Sequence, residues 1–235
     1  VYPLRKAIQA NSRSEGLAVS DKIRNLINGD LSLHGSKYGW GITVHPTGSK
    51  LIVNIPTYED VSAYQYVMNT QTGAWCKFTG WNAFCFEIAR DTLYFGGNGV
   101  MVKADSTTTD GTGGSITADC RQAYNYYGNR GVAKHAKLMR PILAANGEFE
   151  LAVKMDVDYR DQDITTLYPE SGGSGDPWGG VWDVSWLGSM TPHTKWKSST
   201  AIGHAHAIRM KAQVSSVSLS WAATDVVYER GGVLA

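Results

Sequence analysis

His204 and His206 stand two residues apart in a stretch with strand character. An extended chain sends alternate side chains to one face, so both rings would project together, as a metal pair requires. His193 is the nearest candidate for a third ligand, and the competing reading is the polar face of an ordinary strand. Asp156, Asp158, Asp161 and Asp163 crowd four carboxylates into a short span, a donor set suited to calcium or to a nucleotide-bound metal. The span lacks the glycine and terminal glutamate of an EF-hand loop. Asp156 and Asp158 also fall on the polar side of an alternating segment, so a solvated strand end is the better expectation.

Arg121, Arg130, Lys134, Lys137 and Arg140 concentrate positive charge, with Tyr124, Tyr126 and Tyr127 interleaved. Cations alternating with aromatic rings suit a groove that tracks a phosphate backbone and stacks bases. They suit a protein–protein surface equally well, because Tyr and Arg are enriched there. Trp178, Trp182 and Trp186 recur every four residues in a glycine-rich stretch. They could stack on sugars, but the expectation is anchors inserted into an intersubunit pocket. The interface candidates are therefore Arg121, Tyr124, Tyr126, Arg130, Lys134, Lys137, Trp178, Trp182 and Trp186. No Gly-x-Ser-x-Gly, Walker loop, His-Glu-x-x-His or Gly-x-Gly-x-x-Gly is present, so no motif points to catalysis or to a cofactor. The expectation is a protein that is not an enzyme.

These side chains need a scaffold, and its signals are β. The segment Tyr64–Trp75 runs from aromatic strand through turn to aromatic strand. Asn69 can hold the backbone ahead of it, Thr70 and Thr72 can cap locally, and Gly73 can take positive φ. Lys50-Leu51-Ile52-Val53-Asn54 and Thr92-Leu93-Tyr94-Phe95-Gly96 stand 42 residues apart, each after a short strand and a turn. Radially repeated sheets of a β-propeller have about this period. Residues 13–31 hold a helix, with Ser20 as N-cap, Ile23, Leu26 and Ile27 as apolar stripe and Gly29 closing it. The polar stretch 105–114 reads as a linker or exposed loop.

Beyond it, Ile116–Tyr127 and Ala136–Ala145 read as long strands joined by a basic turn. Phe149, Leu151, Val153, Met155 and Val157 alternate cleanly onto one face. Two further strands close the chain, Ala205–Val214 and Val217–Tyr228. The fold expected is all-β: a partial β-propeller of about two blades over 1–104, then an antiparallel β-sandwich platform over 115–235. A closed propeller needs at least about four blades. Either further blades precede Val1 or the sheets stay open, with edges for something to cover.

Bulk composition narrows the partners. Charged residues make up 18% and the formal net charge is +1, so no global field favours nucleic acid or membrane surfaces. Cys76, Cys85 and Cys120 lack metal-ligand spacing; buried thiols acting as small hydrophobes, in a reducing cytoplasm, are expected. No apolar run approaches the roughly 20 residues of a membrane-spanning helix, and no signal peptide opens the chain. Val1 in place of an initiating Met suggests a fragment, a processed product or a chain seen only in part.

Several stretches, in order, resemble a phage family. They are Tyr66-Val67-Met68-Asn69-Thr70, Thr72-Gly73-Ala74-Trp75, Phe78-Thr79-Gly80-Trp81 and Leu93-Tyr94-Phe95-Gly96-Gly97, with Ala104-Asp105 close behind. Gln122-Ala123-Tyr124-Asn125-Tyr126 and Arg140-Pro141 follow. The Trp-x-x-x-Trp repeat over 178–186 and the terminal Asp225-Val226-Val227-Tyr228-Glu229-x-Gly231-Gly232 complete the set. Together they look like the C-terminal part of the tail nozzle, or packaged-DNA stabilisation (tail tubular protein B-like), proteins of short-tailed phages. The resemblance implies a structural virion protein, a propeller joined to β-rich platform parts, with six copies in a ring below portal and adaptor. Its neighbours would be head-to-tail adaptor, portal and tail-fibre or tail-tip proteins. Double-stranded DNA would pass without sequence specificity, and no membrane anchor would be needed. The location implied is the virion tail, assembled in the bacterial host cytoplasm. The alternative from the residues alone is a carbohydrate- or receptor-binding β-module of a virion or cell surface.

Overall fold

The computed structural model describes residues 18–59, 61–105, 109, 114–170 and 191–231. The chain divides into two compact units, residues 1–106 and 107–235; among the described residues both are built from antiparallel sheets, and the first also carries a short helix.

In the first unit a 3₁₀ turn, Asp21–Ile23, leads into helix α1, Arg24–His34. The helix starts later and runs further than its caps suggest. Ile23, not Ser20, occupies its N-cap, and Gly29 lies inside it. An interior glycine costs about 1 kcal/mol relative to alanine, and tertiary contacts outweigh that here. Ile23 and Ile27 pack on the sheet core beside Val19. The Asp30 carboxylate accepts from the hydroxyls of Tyr64 and Tyr66, the latter at 2.8 Å. Trp40 Nε1 donates to the terminal carbonyl of His34 at 2.9 Å, satisfying one of the acceptors that every helix end leaves open. Leu26, assigned to the apolar stripe, is 56% exposed.

Strands β1 (Gly41–His45), β2 (Lys50–Tyr58), β3 (Ser62–Asn69) and β4 (Trp75–Thr79) form one meander in chain order. A second meander follows: β5 (Cys85–Ala89), β6 (Thr92–Gly97) and β7 (Val100–Lys103). The β3–β4 turn behaves as its residues dictate. Asn69 Oδ1 accepts from the amides of Gln71 and Thr72 at 2.9 and 3.0 Å, and Gly73 takes φ +69°. The β5–β6 and β6–β7 connections are two-residue turns with positive φ at both positions, Arg90-Asp91 and Asn98-Gly99, as primed hairpins require.

Strand β2 is buried on both faces. Leu51, Val53 and Ile55 join the helix side, while Ile52 joins a cluster with Val67, Ala83, Leu93, Phe95 and Ala104 that both meanders share. Trp81 stacks on Phe95 at 5.7 Å in that core. A buried amide pair ties the connecting loop to it. Asn54 Nδ2 reaches the carbonyls of Gly39 and Ala83, and Gln65 Nε2 reaches Asn54 Oδ1 and the Trp81 carbonyl, all within 2.8 Å.

The second unit contains β8 (Ile116–Arg121), β9 (Lys134–Ala145), β10 (Phe149–Val157), β11 (Tyr168–Glu170), β12 (Thr191–His193), β13 (Lys197–Gly203), β14 (His206–Val214) and β15 (Leu219–Arg230). One sheet has the order β11-β10-β14-β8. In the other, β9 is central, with β12 and β13 along one side and β15 paired over nearly its full length. Ile116–Tyr127 and Ala136–Ala145 therefore do not form a hairpin; β8 pairs with β14 and β9 with β15. The apolar face of β10 meets β14 and the second sheet in cores built on Leu143, Phe149, Leu151 and Met210, and on Ala136, Met155 and Ile208.

Each sheet has two free ends, so none closes on itself among the described residues. The three thiols are exposed, not buried. The reason is their address: β4, β5 and β8 are all sheet-edge strands.

Candidate interaction surface

Beyond Arg121 the chain leaves β8 and makes a loop held from beneath. Asn125 exchanges two backbone hydrogen bonds with His206, at 2.8 and 3.0 Å. Asn125 Oδ1 accepts from the Tyr127 amide at 2.8 Å and Asn129 Oδ1 from Gly131 at 2.9 Å. Lys134 lies under the loop, 1% exposed. Its ammonium donates to the carbonyls of Asn129, Val132 (2.7 Å) and His204 (3.5 Å). A buried charge is tolerated when polar partners replace its water, and here those partners fix the loop. Lys134 thus belongs to the scaffold and presents no charge to a partner.

On this base stand five side chains from three segments. Arg121 lies over the Tyr124 ring at 5.6 Å and Arg130 over Tyr126 at 4.7 Å. Tyr159, from the turn after β10, packs on Tyr124 at 4.3 Å between centroids. Its hydroxyl meets that of Tyr126 at 2.9 Å. Asp158 and Tyr159 both have positive φ, which turns the chain sharply enough to bring Tyr159 back. The result is a cation–aromatic row running Arg121, Tyr124, Tyr159, Tyr126, Arg130, and Tyr159 is 65% exposed.

The carboxylates around this row serve it. Arg121 pairs with Asp161 and stands 3.7 Å from Asp156. Asp156 is 1% exposed, so it is no solvated strand end; its carboxyl group lies buried near Arg121. Burial pushes the Asp158 carboxyl up, but the amides of Ala205 and His204 donate to it at 2.9 Å and hold it below its ordinary range. Asp163 and Asp119 flank Arg209, at 3.5 and 2.8 Å. The Asp119 hydrogen bond raises the guanidinium and lowers the carboxyl.

The three histidines have separate addresses. His204 lies in the turn before β14 with its side chain 41% exposed, whereas His206 is 1% exposed within the strand. His206 faces Tyr127 at 5.9 Å, which stacks on Tyr228 at 5.0 Å. His193 stands 3.3 Å from Glu170, onto which Lys195 and Lys197 also converge. Among the described residues no group of three or more His, Cys, Asp or Glu could hold a metal ion.

Lys137 is exposed but sits on the other sheet, paired with Glu229. Arg140 pairs there with Asp225 at 2.5 Å and covers Trp196 at 4.8 Å. The structure thus brings Arg121, Tyr124, Tyr126 and Arg130 together, and separates Lys134 and Lys137 from them. Trp178, Trp182 and Trp186 lie outside the described residues. Tyr159 was not singled out by sequence; the available signal was the polar Asp158-Tyr159-Arg160 break ending a clean alternation. Chemically, the row offers flat aromatic area and two guanidinium groups, suited to recognition by stacking and hydrogen bonding. No helix among the described residues is long and apolar enough to cross a membrane. No protein-family model matches the chain, and no curated protein matches it.

Proposed function

We propose that the chain is a structural protein of a short-tailed phage tail, part of the ring-shaped nozzle or hub below portal and adaptor that retains and conducts genomic DNA. In this reading the first unit supplies propeller blades and the second a β-sandwich platform. Six copies close a ring by repeated heterologous contacts, and the adaptor, portal and tail-tip proteins stack against its two ends. A near-neutral chain suits a DNA conduit, because a strongly basic lumen would grip phosphates in a salt-dependent way.

The observation that carries the proposal is the pair of meanders in the first unit. Lys50–Asn54 and Thr92–Gly96, 42 residues apart in sequence, occupy the second strand of successive meanders, β2 and β6. The two meanders share one core through Ile52, Leu93 and Phe95. Radial repetition of small antiparallel sheets is the propeller principle. The cation–aromatic row is the surface best suited to a protein neighbour, since Tyr and Arg dominate interface energetics.

Native mass spectrometry of the purified protein tests the reading. A closed high-order oligomer is the expected result, and a monomer that persists beside portal and adaptor proteins would contradict it.

A further inference from the structure

Tyr126 and Tyr159 meet in a way that sets them apart from the other tyrosine pairs of the described residues. Their phenol oxygens stand 2.9 Å apart, although the residues lie 33 positions apart in sequence. A contact of this kind brings the reactive ends of two phenols together. A phenoxyl radical couples through the ring carbons ortho to its oxygen, because the para carbon already carries the side chain.

Both sides of the contact are held in place. Arg130 lies over the Tyr126 ring at 4.7 Å, and the adjacent Asn125 exchanges two backbone hydrogen bonds with His206. Tyr159 sits in a turn where it and Asp158 both take positive φ, and its ring packs on Tyr124 at 4.3 Å. Holding two reactants in contact replaces a chance encounter with a step inside one molecule, which raises its rate by orders of magnitude. Tyr159 is 65% exposed, so an oxidant in solution can reach it.

The other close tyrosines lack this combination. Tyr64 and Tyr66 meet edge to face at 5.6 Å, but both hydroxyls are given to Asp30. Tyr127 and Tyr228 stack with 18° between their planes, which sets ring faces, not ortho edges, against each other. Tyr124 touches Tyr159 through its ring, while its own hydroxyl is buried.

We infer that Tyr126 and Tyr159 form an oxidative cross-linking site, at which a peroxide acting through a one-electron oxidant joins the two rings as a dityrosine. Each phenol gives up one electron and one proton. The two radicals join through a new carbon–carbon bond between ortho carbons, and the hydrogen on each of those carbons moves to oxygen to restore the phenol. The peroxide takes up the two electrons and two protons and leaves as two waters. The bond ties the loop after β8 to the turn after β10, and so fixes the cation–aromatic row covalently.

The test treats the whole chain with hydrogen peroxide and a haem peroxidase, then maps the digested peptides by mass spectrometry. A linked pair of peptides carrying Tyr126 and Tyr159, lighter by two hydrogens, is the expected product, with blue dityrosine fluorescence. Tyr126→Phe and Tyr159→Phe should each abolish that link, and Tyr124→Phe should keep it. Absence of the link in the unsubstituted chain overturns the inference. So does coupling of Tyr159 to Tyr124 in its place, or cross-linking that occurs only between chains.

Discussion

Asp30 shows how much a single side chain can organise. It sits on α1 and receives both Tyr64 and Tyr66 from β3. Desolvation and then the Asp30 hydrogen bond push the Tyr66 phenol up to about 12, with Tyr64 raised further. Asp30→Ala should cost roughly 1–3 kcal/mol, the penalty for stranding hydrogen-bonding groups. Spectrophotometric titration should then show the Tyr66 phenol ionising closer to its ordinary value. Gly203 makes the opposite kind of demand. A Cβ there would overlap Val157 Cγ1 and stand 2.5 Å from Asp158 Oδ2, so Gly203→Ala should lower stability by about 1–3 kcal/mol in urea unfolding. Residues acting on their own neighbourhood were legible in sequence: Asn69 and Gly73 do what their chemistry requires. Lys134 was not: its ammonium donates to the carbonyls of Asn129 and Val132 nearby and of His204, 70 residues away, and no sequence pattern shows that these close over it.

At the level of elements, strand positions followed from alternation and β-branched content, while partners did not. Arg121 and Lys134 look like the two ends of a basic turn, yet they end and begin strands of different sheets. Register is decided by long-range pairs such as Asp119 with Arg209, which no local pattern encodes. Alternation likewise placed Asp156 on a polar face but could not say that the face was covered. The junction between β14 and the loop over Lys134 carries a pH dependence. Burial lowers the His206 pKa; the nearby Lys134 charge adds to this, while Asp158 and the carbonyls of Ala201 and Lys134 oppose it. With its folded value below the unfolded one, the unfolded chain gains the His206 proton before the folded chain does on acidification. Stability should therefore fall as pH drops below about 6.5, the unperturbed histidine value. A second loss should follow below the ordinary carboxylate range, because Asp119, Asp158 and Glu170 are all held low. Thermal unfolding across pH should show both stages, and His206→Gln should lack the first.

For the whole molecule, composition alone indicated an all-β protein with many turns, and the sheets bear that out. Closure was not legible in sequence, and among the described residues every sheet is open. Each unit has its own apolar clusters, Ile52 with Leu93 in the first and Leu143 with Leu151 in the second. A chain restricted to residues 107–235 should therefore unfold cooperatively by calorimetry; a molten profile would show that the second core needs the first unit.

The open sheet edges carry the larger expectation. Exposed edges invite pairing unless something covers them, and β7 presents Val100, Met101 and Val102 uncovered. In a ring, neighbouring copies would provide that cover. Electron-microscope class averages of the purified protein test this account most directly. Six-fold rings with a central hole are the predicted result; isolated monomers at every concentration would contradict it.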